Sequence, residues 1–107
     1  MKKLLPVLII SFLVSACGKE PVADFSISHE KPAAGEKLFF YNTSSNAVDF
    51  EWDFGDGTTS TEESPEKIFK NAGNFNVTLK AFSENGKKTG TVSKSIMING
   101  FEGSYLE

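Results

Sequence analysis

The chain has 107 residues, room for one domain and none for a second lobe with a cleft between the two. It carries 11 lysines, no arginine and 14 acidic residues, a net charge of −3, and so lacks both the phosphate-neutralising stripe and the bidentate base reader that nucleic-acid binding requires. Its single cysteine, Cys17, leaves the domain without a disulfide of its own.

Met1-Lys2-Lys3 is a positive start, and Leu4 to Val14 is an eleven-residue apolar stretch. That length suits the core of a secretory signal and falls short of the roughly 20 residues a spanning helix needs. Leu13-Val14-Ser15-Ala16-Cys17 follows, an aliphatic residue and small residues before a cysteine, which resembles the lipobox cleaved by lipoprotein signal peptidase. The resemblance implies a cleaved signal peptide over 1–16 and a Cys17 that carries diacylglycerol and an N-acyl chain such as palmitate. Each buried methylene contributes about 0.8 kcal/mol, so two or more chains hold a protein on a membrane. Gly18 stands where an inner-membrane retention signal would place aspartate, which favours the outer membrane of a bacterial envelope. Loss of Lys2 and Lys3 leaves 91 residues with nine lysines against fourteen acids, a net charge of −5. That size is near the lower limit for an unaided apolar core.

Residues 17–20 are read as lipidated cysteine and tether. From Pro21 to Asn99 the chain consists of short alternating runs separated by Gly, Asn, Ser and Pro, with no helical period. Ala23, Phe25 and Ile27 share one face of a first run, and Leu38 and Phe40 one face of a second. In Val48-Asp49-Phe50-Glu51-Trp52-Asp53-Phe54 the apolar residues alternate with acids, which places Val48, Phe50, Trp52 and Phe54 on the inner face. Phe75, Val77, Leu79 and Ala81 define a fourth run, and Ile96 and Ile98 a fifth. Thr89 to Lys94 alternates poorly and has no evident register, and 100–107 reads as a tail. Strands with one apolar face each must pack face to face, which predicts an all-β antiparallel sandwich. Gly55-Asp56-Gly57, Asn71 to Asn74 and Glu84 to Lys87 supply its turns.

Trp52-Asp53-Phe54-Gly55-Asp56-Gly57-Thr58-Thr59-Ser60, with Ser64-Pro65 and Ala72-Gly73-Asn74-Phe75-Asn76-Val77-Thr78-Leu79, closely resembles the PKD domain. The likeness runs from about Pro21 to Asn99. It implies an immunoglobulin-like sandwich of about seven strands without the disulfide, in a module that contacts proteins or polysaccharides or serves as a spacer. Lys67 and Phe69 replace the His and Tyr common in that family, and Ala72 replaces a Pro. Lys67 is expected to turn its ammonium to solvent, and Phe69 to keep the ring without the hydroxyl.

Asp53 and Asp56 invite a calcium reading, but calcium needs six to eight oxygens, and Glu62 and Glu63 fall in the wrong register. A turn, with Asp53 bonded to loop amides, is the favoured reading, and no metal is expected. His29, the sole histidine, is expected in a solvated loop, since it lacks the partners of a zinc site. No Gly-x-Ser-x-Gly elbow and no free cysteine nucleophile exist, and an Asp53–Asp56 pair would need a cleft to act on a glycosidic bond. Catalysis is therefore not expected. If Leu38 and Phe40 face inward, Phe39 and Tyr41 face outward, as does Phe82 on the other sheet. These three form the candidate contact patch, for sugar stacking or a protein contact. The expected function is docking of a lipid-anchored module on another envelope protein, with polysaccharide binding or a passive spacer role as the alternative.

Overall fold

The computed structural model describes residues 19–100. Cys17, the leader before it and residues 101–107 lie outside the described residues. Within them the chain forms seven strands: β1 (Phe25–Ile27), β2 (Lys37–Asn42), β3 (Asp49–Asp53), β4 (Thr59–Ser60), β5 (Glu66–Ile68), β6 (Gly73–Phe82) and β7 (Thr89–Ile98). They make two antiparallel sheets, ordered β1-β2-β5 and β4-β3-β6-β7. This is the antiparallel sandwich that the alternation predicts, in the immunoglobulin-like form that the family resemblance implies.

The strands are held by rings that meet across the gap. Phe25 and Phe40 come from one sheet and Trp52 from the other, and all three are buried. Their ring centroids stand 5.1 to 5.8 Å apart in tilted or edge-on geometry, the arrangement that aromatic quadrupoles favour. Phe54 and Phe69 extend the cluster, with Leu38, Val77, Leu79, Ile96 and Ile98 packed around it. Each such side chain contributes about 1.5–3 kcal/mol on burial, which lets a small domain manage without a disulfide.

Three details differ from the pattern in the sequence. Val48 is not a core residue: it lies in the loop before β3 with more than half its surface exposed. The alternation that suggested it continues past the end of the strand, where only its N–H is used, donating to the Phe82 carbonyl. Phe50 is half-buried at the margin of the core. Thr89 to Ile98 is one continuous strand, paired with β6 residue by residue from Thr89–Phe82 to Ile98–Gly73. Its inward positions are Gly90, Val92, Lys94, Ile96 and Ile98. The weak alternation has two causes: a side chain at Gly90 would run into the Pro21 carbonyl, and Lys94 closes the open edge of the sandwich.

Candidate functional site

The turn between β3 and β4 is set by its own side chains. Asp53 Oδ1 accepts a hydrogen bond from the Gly55 N–H at 3.0 Å, and Asp56 Oδ1 accepts from the Thr58 N–H at 3.0 Å and from its hydroxyl at 2.6 Å. Gly55 and Gly57 hold φ of 80° and 93°, the left-handed region that costs glycine little. Trp52 is fully buried, and its Nε1–H donates to the Glu62 carbonyl at 2.8 Å, which ties the loop after β4 to the core. The Trp52 to Gly57 signature is thus a structural device, with both carboxylates engaged inside the turn. No group of three His, Cys, Asp or Glu side chains converges on a metal position among the described residues.

Lys67 corrects the sequence reading. Its ammonium does not reach into solvent but folds back to 2.6 Å from Asp56 Oδ2, and it donates to Thr58 Oγ1 at 2.7 Å. The same nitrogen lies 5.3 Å from the Phe54 ring centre and 5.2 Å from that of Phe69, within cation–π range. Phe69 keeps its buried ring, as expected. Partial burial pushes the Asp56 carboxyl up, but hydrogen bonds from Lys67 and Thr58, together with the ammonium charge, outweigh it and hold the group below its ordinary value of 3.8.

The outer side of the β1-β2-β5 sheet carries two of the sequence's three candidate contact residues. Leu38 and Phe40 point into the core, and Phe39 and Tyr41 point out, 36% and 49% exposed. They are two residues apart on a central strand, roughly 7 Å along it. Register brings a third apolar side chain to this face. Lys37 is paired with Ile68 and Phe39 with Glu66, so Ile68 lies diagonal to Phe39 and is 46% exposed. Tyr41, Phe39 and Ile68 form a strip across the sheet, edged by Ser26 beside Tyr41 and by the Lys37–Glu66 ion pair, 3.5 Å long. The sequence signal for Ile68 was present but unused: Phe69 is an inward residue, so alternation turns Lys67 inward and Ile68 out.

Phe82 does not join this strip. It is half-buried on the outer face of the opposite sheet, in a row with Asp49 and Thr89. His29 lies in the loop after β1, with Nδ1 hydrogen-bonded to the Ser28 hydroxyl at 2.8 Å and Nε2 3.1 Å from Glu36 Oε2. A concavity of about 640 Å³ lies where the chain enters the sandwich and is lined in part by Lys19, Val48, Ser83 and Lys88.

An all-β sandwich with a tryptophan-anchored aspartate–glycine turn and an outward aromatic strand defines a small immunoglobulin-like module. The chain belongs to the PKD domain family, which is matched over residues 18–98. The chain is 40% identical over 70 residues to the pre-pro-metalloprotease PrtV of Vibrio cholerae, a match that takes in 62% of this chain and 7% of that protein. It therefore spans a small fraction of the curated relatives it matches. Among solved structures, the PKD1 domain of the Vibrio cholerae metalloprotease PrtV has a TM-score of 0.65 at 34% identity, covering 76% of this chain and 99% of that domain. The PKD1 domain of Vibrio anguillarum Epp has a TM-score of 0.66 at 25% identity, with 78% and 98% covered. A structure described as one of the carbohydrate-binding modules of the β-sandwich superfamily has a TM-score of 0.71 at 26% identity, covering 77% of this chain and 35% of that one.

Proposed function

We propose that this chain is a lipid-anchored PKD module of the bacterial envelope, held on the outer membrane through Cys17, that docks without catalysis on another envelope protein. The contact surface is the strip Tyr41–Phe39–Ile68. The observation that carries the reading is the composition of that strip: two aromatic rings beside an exposed aliphatic side chain, on the flat outer face of a sheet. Apolar side chains grouped on one face and ringed by polar residues suit the centre of a protein interface. A sugar ring, by contrast, gains little from the isoleucine, since recognition of its hydroxyls needs polar groups around an aromatic platform.

Cross-linking in intact cells followed by affinity purification tests this proposal. The expected result is one protein recovered in near-stoichiometric amount, lost in the variant Phe39→Ala/Tyr41→Ala/Ile68→Ala although that variant remains folded and anchored. Recovery unaffected by the triple substitution would contradict the assignment of the surface.

The second reading, binding of polysaccharide through Phe39 and Tyr41, is supported by the likeness to a carbohydrate-binding module. It predicts glycan retention that falls with Phe39→Ala/Tyr41→Ala and is indifferent to Ile68→Ala.

A further inference from the structure

We infer that the end of the sandwich formed by residues 19–22, 43–48 and 83–88 docks on the phospholipid headgroups beside the anchor, with anionic lipid as its partner. The inference rests on the lipid-anchor reading of Cys17 and adds an orientation to it.

The lead-in to the sandwich is pinned at this end. Val22 and Ser45 exchange two backbone hydrogen bonds of 2.9 Å, the Asn46 side-chain amide donates to the Glu20 carbonyl at 3.2 Å, and Lys88 Nζ lies 3.5 Å from Glu20 Oε2. Glu20 is therefore fixed, and only Gly18 and Lys19 separate it from Cys17. At 3.3–3.6 Å per residue, an acylated Cys17 lies at most about 11 Å from Glu20. That reach is close to the Debye length of about 8–10 Å at physiological ionic strength, so charges at this end sense the headgroups.

The chemistry of this end suits such a surface. Residues 19–22, 43–48 and 83–88 hold three lysines, Lys19, Lys87 and Lys88, against two acids, Glu20 and Glu84, a net charge of +1. The rest of the mature chain, with six lysines and twelve acids, carries −6. Asp24, next along the chain, is tied to Lys94 at 3.1 Å. Val22 and Val48 project from the same end, 56% and 54% exposed. Basic residues beside exposed aliphatics match an anionic headgroup layer, which attracts lysines held near its surface. Docked this way, the sandwich stands on the membrane with Tyr41 nearest to it. Phe39 and Ile68 follow upward, which leaves the strip open to a neighbour in the same plane.

The test uses the full acylated protein in vesicles of phosphatidylethanolamine with phosphatidylglycerol, and in vesicles of phosphatidylcholine alone. A polarity-sensitive fluorophore is placed by Val48→Cys at the docking end or by Asn71→Cys at the opposite end, and a headgroup-linked quencher is included in the lipid. Severalfold stronger quenching at position 48 than at 71 is expected in the anionic vesicles. That difference should shrink in phosphatidylcholine and in Lys19→Glu/Lys87→Glu, while the protein stays vesicle-bound. Equal quenching at the two positions, on protein whose mass shows the acyl groups, would overturn the docking and leave the anchor standing. A mass showing Cys17 unacylated in protein from the native envelope would remove the anchor reading, and this inference with it.

Discussion

Lys67 is where the chain departs from the residues common in its family, and the structure shows what the departure does. Its ammonium joins the β3–β4 turn to β5 through Asp56 and Thr58 while lying over Phe54 and Phe69. Lys67→Met keeps the apolar stem and removes the charge, and should cost about 1.5–3 kcal/mol in urea unfolding at neutral pH, the scale of hydrogen bonds to charged groups. The same pair predicts an acid response. Asp56 titrates below 3.8 when folded, so its contribution is complete above that value and is lost as pH falls through the lower, folded one. Stability should therefore decline below about pH 4, near the ordinary aspartate range, and decline less steeply in Lys67→Met. A residual slope is expected from Asp24, which the hydrogen bond from Lys94 and that of the Phe25 amide also hold low. Two glycines of the turn offer a sharper contrast. A methyl group on Gly55 would sit 2.6 Å from the Asn76 carbonyl oxygen, whereas at Gly57 it would meet nothing within 4 Å. Both hold positive φ, so Gly57→Ala should cost about 1 kcal/mol of backbone strain and Gly55→Ala clearly more, measured by thermal unfolding. Equal costs would mean that the approach of Asn76 relaxes freely.

Among the elements, β3 and β6 were legible because each alternates apolar and polar residues over enough positions to fix which face is buried, whereas β2, with Leu38-Phe39-Phe40-Tyr41 in a row, was placed by the inward pair Leu38 and Phe40. The strands β4 and β5, of two and three residues, are too short to show a period. Ile68, one third of the strip, could be turned outward only by counting back from the inward Phe69, and register then places it beside Phe39. β7 hid for another reason: its inward positions include Gly90, where the Pro21 carbonyl occupies the place of a side chain, and Lys94, which reaches Asp24 and the Phe25 carbonyl instead of filling the core. Lys94 shows how an exposed edge is managed. It faces inward from a ten-residue edge strand and donates to the Phe25 carbonyl, lies 3.1 Å from Asp24 and sits over the Phe25 ring. An inward charge on an edge strand opposes pairing with another chain. Lys94→Ile should accordingly raise self-association in sedimentation velocity at concentrations where the parent chain stays monomeric. An unchanged sedimentation profile would mean that the lead-in segment alone blocks the edge.

At the scale of the whole molecule, the proposed roles of attachment, rigidity and contact fall to separate regions: a pinned lead-in, a sandwich filled by rings and an outward strip. The Trp52 to Gly57 signature, which names the family, contributes to rigidity; the proposed contact falls to Phe39, Tyr41 and Ile68, residues outside the motif. That separation explains why the family could be read from the sequence while the surface could be read only in part. Of the two carboxylates in the turn, Asp53 accepts from the Gly55 amide, while Asp56 holds Thr58 and also reaches Lys67 of β5.

The most direct test of the docking surface is a photo-reactive amino acid placed at position 39 or 68 in intact cells, with position 91 on the opposite outer face as reference. A discrete protein adduct from positions 39 and 68, absent from 91, is the predicted result. Adducts equally strong from all three positions, or none from 39 and 68 in the fully anchored protein, would contradict it.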